Sequence, residues 1–170
     1  MSLPLIYTLD RLNQMSQDEF TEALGSIFEH TPAIATTTWQ ARPFADIENL
    51  HQTMAAIVMK MTDTEKLQLI CAHPDLGSKV KMADASVQEQ STIGLDRLSI
   101  EEYDRFQQLN QSYKEKFNFP YIIAVRNHTK DTILMNFMER LQNNLDTEKK
   151  QAIAEIIEIA RWRLILAISN

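Results

Sequence analysis

The scarcity of glycine constrains the fold of this chain more than any other feature of the sequence. Only three glycines occur in 170 residues, whereas signals for the start of a helix recur along the chain. A Ser or Thr followed three residues later by Glu is typical of a capping box, and it occurs at Ser16 and Glu19, at Thr62 and Glu65, and at Ser99 and Glu102. We therefore predict a chain that is almost entirely helical.

Apolar periodicity locates the longer helices. Aromatic and aliphatic residues follow Ser99 at three- and four-residue spacing and line one helical face, namely Tyr103, Phe106, Leu109, Tyr113 and Phe117. The same spacing predicts two C-terminal helices over residues 131–145 and 147–169. Because only a short polar turn at residues 144–146 joins them, these two helices are expected to pack antiparallel.

One apolar segment, residues 119–125, does not fit the helical pattern. It is rich in β-branched residues, and Pro120 disfavours the helical backbone region at Phe119. No internal repeat, low-complexity tract or linker divides the chain. The sequence therefore predicts an all-α single domain over residues 1–170, a bundle of roughly eight helices with a short extended apolar segment near 119–125.

Composition and charge exclude several classes of function. The net charge of −6 and the absence of a dense basic block disfavour a nucleic-acid-binding surface. The sequence has no signal-peptide pattern and no apolar run of membrane-spanning length, so we expect a cytoplasmic protein that binds no membrane. Cys71 is the single cysteine, and the four histidines (His30, His51, His73 and His128) lack the short spacing of metal ligands. A disulfide framework and a metal site are therefore not expected.

His73 differs from the other histidines because Pro74 follows it directly. Proline restricts the preceding residue to an extended backbone, so the apolar helix that includes residues 67–71 should end at or before His73. The imidazole would then stand at the end of a helix, where it is either a candidate proton carrier or a simple helix cap.

Two further groups of polar residues are candidates for a site. Ser86, Glu89 and Gln90 offer a hydroxyl, a carboxylate and an amide, and we expect Glu89 and Gln90 to project from the first turn of a short helix. Ser86 and Glu89 also fit a capping box, in which they would only satisfy helix-end amides. Arg161 and Arg163 interrupt an apolar helix and point in different directions, and Arg163 shares the apolar stripe of Ile156 and Ile159.

The order of these motifs resembles that of the 2-oxo-4-hydroxy-4-carboxy-5-ureidoimidazoline (OHCU) decarboxylase family. The resemblance rests on the HPDLG motif of residues 73–77, on Ser86, Glu89 and Gln90 followed by Gly94 and Leu95, and on residues 119–125, 126–134 and 159–164. It implies an all-helical fold, often dimeric, that uses no cofactor. It also implies that His73 is the central catalytic residue, that Glu89 assists it, and that the substrate is contacted by Pro74, Ser86, Gln90, Ile122, Ile123, Ala124, Val125 and Arg163.

The function implied by the resemblance is decarboxylation of OHCU, a small anionic molecule, to (S)-allantoin in urate degradation. A homodimer is the expected assembly. A non-enzymatic helical interaction module is the alternative, with His73 as a cap and Glu89 in a capping box. A metal-dependent lyase or hydrolase using His73, Asp75 and Glu89 is a second alternative, although one histidine and two scattered acids make a poor set of ligands for a transition metal.

Overall fold

The structure, a computed structural model, describes residues 6–78 and 84–169. Within those residues it has nine α-helices and one two-stranded parallel sheet, which confirms the predicted fold class. The helices are α1 (Leu9–Gln14), α2 (Gln17–Leu24), α3 (Ala33–Thr38), α4 (Ile47–Lys60), α5 (Asp63–Cys71), α6 (Asp84–Thr92), α7 (Ile100–Phe117), α8 (Lys130–Arg140) and α9 (Leu145–Ala167), and the strands are β1 (Tyr7–Thr8) and β2 (Ile168–Ser169).

All three predicted helix starts are confirmed. Ser16 and Glu19 form a reciprocal capping box at the start of α2, and Ser99 and Glu102 form another at α7. At α5, the amide of Glu65 donates to Thr62 Oγ1 (3.2 Å) and the amide of Thr62 donates to Glu65 Oε2 (2.8 Å). Each box satisfies helix-end amides that would otherwise lack a partner, which explains why these sequence signals fix the helix starts.

Contacts divide the described chain into two compact units, with the boundaries inside α5 and α9. The first unit comprises residues 6–69 and 157–169. In it, α3 packs against both α2 and α4, and fully buried side chains such as Phe20, Leu50 and Met54 form the core. The predicted single domain over residues 1–170 stays a prediction.

The second unit comprises residues 70–78 and 84–156, and its core is aromatic. Tyr121 stacks on Phe137 with ring centroids 3.7 Å apart, and Tyr113 meets both rings edge-on. Offset-stacked and edge-to-face pairs of this kind each add about 1 kcal/mol beyond the area that they bury. The side chains that pack this core come from α7, α8 and the segment between them, so the core holds residues 119–125 in place.

A buried ion pair lies against this aromatic core. Arg140 Nε donates to Glu148 Oε2 (2.9 Å), the Tyr113 hydroxyl donates to the same carboxylate, and Arg140 Nη1 donates to the carbonyl of Ile122 (2.6 Å). Burial and the Glu148 carboxylate raise the pKa of Tyr113 above its ordinary value. Burial disfavours the charged form of Arg140 and lowers the pKa of its guanidinium. The hydrogen bonds to Glu148 outweigh this effect, so the pKa is raised.

The C-terminal part of the fold differs from the prediction in the position of the turn and in the end of the last helix. Helix α8 ends at Arg140 and α9 begins at Leu145, so the connecting turn comprises residues 141–144 and not 144–146. Helix α9 ends at Ala167, because Ile168 and Ser169 pair as a strand with Tyr7 and Thr8. The helical periodicity of residues 147–169 gave no sign of this strand. None of the described helices is both long enough and apolar enough to span a bilayer.

Candidate functional site

His73 stands just beyond the end of a helix, as the sequence predicts. Helix α5 ends at Cys71, and the amide of His73 still donates to the carbonyl of Ile70 (3.2 Å). His73 is buried, whereas Pro74 and Asp75 are half-buried. The buried imidazole of His73 is thus held two residues beyond the end of a rigid helix, and this position limits the rotamers that the ring can adopt.

The turn that follows His73 is tied to two helices. The amide of Gly77 donates to Gln90 Oε1 on α6 (2.9 Å), and the carbonyl of Leu76 accepts from Asn110 Nδ2 on α7 (2.8 Å). Gly77 has φ of +68°, a backbone conformation that side chains disfavour. These bonds link the His73 turn to the polar residues of α6.

Helix α6 buries polar side chains, which is the reverse of the usual arrangement. Ser86, Glu89 and Gln90 are only 5%, 8% and 8% exposed, whereas the apolar side chain of Val87 is 47% exposed. Their spacing places the three buried residues on one helical face. Burying a polar group costs about 1–3 kcal/mol unless hydrogen bonds compensate, and we take this buried polar face as a candidate site.

The structure overturns the capping-box interpretation of Ser86 and Glu89. Helix α6 comprises Asp84–Thr92, so Ser86 is its third residue and Glu89 its sixth. Both residues are therefore inside the helix, and the amide of Glu89, which Ser86 would satisfy in a capping box, lies beyond the first four amides that lack a helical partner. The predicted first-turn position of Glu89 and Gln90 is also wrong, because they occupy the second turn.

Residues 120–124 form buried backbone without a regular helix or strand, and Val125 begins a short 3-10 turn, Val125–Asn127. Side chains hold this segment: Arg140 binds the carbonyl of Ile122, and Glu155 Oε2 accepts from the amide of Ala124 (2.8 Å). The 3-10 turn packs against α6. The His73 turn, the polar face of α6 and residues 122–125 are thus connected within the second unit.

Arg163 belongs to the first unit. As predicted, Arg163 is the buried arginine of the pair, and Arg161 is at the surface, 3.6 Å from Glu48. Arg163 Nη1 donates to Glu29 Oε2 (3.1 Å) and to the carbonyls of Ser26 (3.4 Å) and Ile27 (3.3 Å). The predicted contact of Arg163 with a substrate stays a prediction.

His73 also lines an open cleft of about 470 Å³ within the second unit; the other lining residues are Cys71, Asp75, Lys114, Asn118, Phe119 and Pro120. Lys114 Nζ lies 2.9 Å from Asp75 Oδ2. Burial raises the pKa of the Cys71 thiol, which disfavours the thiolate and makes His73 the better candidate for chemistry.

Sequence reasoning missed Asn110 and Lys114, which contact the His73 turn from α7. Both belong to a helix whose pattern indicated only an amphipathic core element. Their partners lie 34 and 39 residues away along the chain, so no local signal marks them. Among residues 6–78 and 84–169, no cluster of three His, Cys, Asp or Glu side chains could hold a metal ion.

The fold and the buried polar groups are those of an all-helical protein with a candidate site for a small polar molecule near a histidine at a helix end. The sequence model of the OHCU decarboxylase family matches residues 13–165. The chain belongs to this family, and the match runs through both units.

The chain is also similar to two named proteins over most of its length. The chain is 39% identical to the 2-oxo-4-hydroxy-4-carboxy-5-ureidoimidazoline decarboxylase of Halalkalicoccus jeotgali, over 92% of this chain and 89% of that protein. It is 43% identical to the uric acid degradation bifunctional protein PucL of Bacillus subtilis, over 94% of this chain. The chain spans about a third (32%) of the length of PucL.

Two solved structures share the fold. One, described as a crystal structure of (S)-allantoin synthase, is 31% identical with a TM-score of 0.79, and the match covers 96% of this chain and 54% of that chain. The other, described as OHCU decarboxylase in the presence of (S)-allantoin, is 24% identical with a TM-score of 0.68, over 89% of this chain and 97% of that chain. The second likeness concerns the fold alone.

Proposed function

We propose that this protein is a carboxy-lyase that converts OHCU to (S)-allantoin in urate degradation without a cofactor. The observation that carries the proposal is the buried polar face of α6, Ser86, Glu89 and Gln90, which is tied through Gly77 to the His73 turn. Membership of the OHCU decarboxylase family supports the same reaction.

The chemistry of the substrate explains why such a site would suffice. Loss of CO2 breaks the bond between the ring carbon and the carboxylate carbon, and the electron pair enters the conjugated ring to give an enol. A ring nitrogen takes up one proton as the enol forms. The enol then becomes the ketone when the neighbouring ring carbon gains a proton and the hydroxyl loses one, so the net uptake is one proton for each CO2 released. The ring itself accepts the electron pair, and the protein has to supply placement, charge and the proton.

His73 is the proposed proton carrier, and Glu89 is proposed to orient its ring. Proton transfer by a positioned side chain contributes about a hundredfold to ten-thousandfold in rate. Delivery of the proton from one side of the ring would give a single enantiomer of allantoin. Pro74 fixes the backbone that aims the imidazole.

Ser86, Gln90 and the main chain of residues 122–125 are the proposed substrate contacts. Gln90 Oε1 accepts from the amide of Gly77, and we propose that the NH2 group of Gln90 is the part that contacts the ligand. Gln90 would therefore recognise an acceptor atom such as a ring oxygen. A donor fixed toward an oxygen that gains charge is worth about 3 kcal/mol in the transition state.

A coupled assay tests the proposed activity. Urate is oxidised enzymatically to its unstable products, the protein is added, and allantoin is followed by circular dichroism. We expect a strong signal of (S)-allantoin that forms faster than in the protein-free sample. Glu89→Gln should abolish this gain in rate, whereas Gln88→Ala, which changes an exposed neighbour on α6, should preserve it. A racemic product formed at the protein-free rate would refute the proposal and favour the interaction module.

We also propose a cytoplasmic homodimer. A single cysteine is compatible with a reducing compartment. Light scattering coupled to size exclusion tests the assembly: a mass of about twice the 19.6 kDa chain supports a dimer, and a mass near one chain refutes it.

A further inference from the structure

One peptide group next to the candidate site is bonded on both sides by side-chain amides. The carbonyl of Leu76 and the amide of Gly77 belong to the same peptide unit. The carbonyl accepts from Asn110 Nδ2 (2.8 Å), and the N–H donates to Gln90 Oε1 (2.9 Å). The result is a continuous chain of hydrogen bonds from α7, through the His73 turn, to the polar face of α6.

Chemistry fixes the direction of this chain. A backbone carbonyl only accepts, so Asn110 must present its NH2 group to Leu76, and a backbone N–H only donates, so Gln90 must present its oxygen to Gly77. The NH2 group of Gln90 is then directed away from the peptide. Hydrogen bonds in a row polarise one another, so the bond from Asn110 strengthens the one to Gln90.

The buried side chain of Asn110 lowers the stability of the fold, which indicates a role other than packing. It is only 2% exposed, and its Oδ1 atom has no hydrogen-bond partner among the residues that the structure describes. A buried acceptor without a partner destabilises a fold, because it loses its bonds to water and gains none in return. An apolar side chain of similar volume would avoid that cost but would leave the Leu76 carbonyl without its donor.

We infer that Asn110 is a positioning residue, which acts through the Leu76–Gly77 peptide to hold the Gln90 amide as a hydrogen-bond donor for the ligand. The inference deepens the proposed function and rests on it at one point, the contact between Gln90 and the ligand. Asn110 would therefore increase the affinity for the ligand without touching the ligand itself.

A double-mutant cycle with (S)-allantoin as the probe tests the inference. Calorimetry gives the affinity of the wild type, Asn110→Leu, Gln90→Met and the double variant. We expect Asn110→Leu to weaken binding roughly tenfold on its own and less than about twofold when Gln90 is already Met, because the two residues act as one unit. Equal losses in both backgrounds would overturn the inference and leave Asn110 with a structural role.

Ile133→Ala is the matched control, because Ile133 is fully buried on α8 of the same unit and has no place in this chain of bonds. It should lower stability and leave the affinity for (S)-allantoin unchanged. If Asn110→Leu does not fold, Asn110→Ala removes the same donor and has the same expected coupling. If Gln90→Met binds the probe as tightly as the wild type, the contact of Gln90 with the ligand is wrong.

A ligand-free measurement separates failure of the inference from failure of the proposed function. The side-chain amide resonances of Gln90 should shift in Asn110→Leu and stay in place in Ile133→Ala. This result is expected even if (S)-allantoin does not bind at all. Unchanged Gln90 resonances in Asn110→Leu would refute the positioning role whatever the protein binds.

Discussion

Removing the charge of Glu148 should destabilise the second unit more than any surface substitution. Glu148 is fully buried and Arg140 is 4% exposed, and the Glu148 carboxylate accepts from Arg140, Tyr113 and Asn143. Glu148→Gln keeps the volume and some of these bonds but leaves the guanidinium buried without its counter-charge. Breaking a buried ion pair in this way costs about 3–5 kcal/mol, and the retained bonds favour the lower end.

Urea and thermal unfolding followed by circular dichroism measure this cost. A loss of about 3 kcal/mol in a protein of this size corresponds to a fall of roughly 6–12 °C in Tm. Glu139→Gln is the control, because Glu139 is the exposed chain neighbour of Arg140, and it should change the unfolding free energy by less than about 0.5 kcal/mol.

A double replacement tests the physical reason. Arg140→Met combined with Glu148→Leu removes both charges, so it should cost less than Glu148→Gln alone, since no buried charge is left unpaired. An unpaired buried charge is not the cause if Glu148→Gln has the same free energy of unfolding as the wild type, or if the double variant is less stable than Glu148→Gln.

Three further outcomes follow from the structure. Because the pKa of Tyr113 is raised in the folded protein, its protonated hydroxyl stabilises the fold at pH values below the ordinary tyrosine pKa of about 10, and this contribution is lost as the pH rises above 10. The difference in unfolding free energy between the wild type and Tyr113→Phe, measured with urea, should therefore shrink by about 1 kcal/mol between pH 9 and pH 11. Ser99→Ala should cost about 1 kcal/mol because it removes the cap of α7, whereas Ser112→Ala, at an exposed position of the same helix, should cost less than about 0.5 kcal/mol. Arg163→Lys should lower Tm and weaken binding of an anionic substrate analogue in calorimetry, whereas Arg161→Lys should be nearly silent in both measurements, because an exposed ion pair contributes little.

The features that the sequence predicts correctly are those whose causes are local. The capping boxes at Ser16 and Ser99 involve residues three positions apart, and the end of α5 before His73 follows from the steric effect of Pro74. The buried position of Arg163 follows from helical periodicity. In each case the physical cause lies within one or two helical turns of the residue that it affects.

The features that the sequence misses depend on contacts that are distant along the chain. The strand at Ile168 exists because Tyr7 pairs with it, and periodicity within one segment cannot reveal that partner. In the sequence, Asn110 is an ordinary polar position on α7, and only the structure shows that its side chain binds the carbonyl of Leu76. The pattern of Ser86 and Glu89 is ambiguous for a different reason. Residues three positions apart fit both a capping box and one face of a helix, and only the start of α6 at Asp84 decides between the two.

In the proposed decarboxylation, the buried imidazole of His73 carries the proton. The most direct measurement is the rate of (S)-allantoin formation by His73→Asn in the coupled circular dichroism assay, with Tm recorded on the same sample. His30→Asn is the control, because His30 is an exposed histidine with φ of 48°, a backbone conformation that asparagine tolerates. We expect a rate about a hundredfold lower for His73→Asn with little change in Tm, and a normal rate for His30→Asn. Normal turnover by a folded His73→Asn variant would contradict this role of His73.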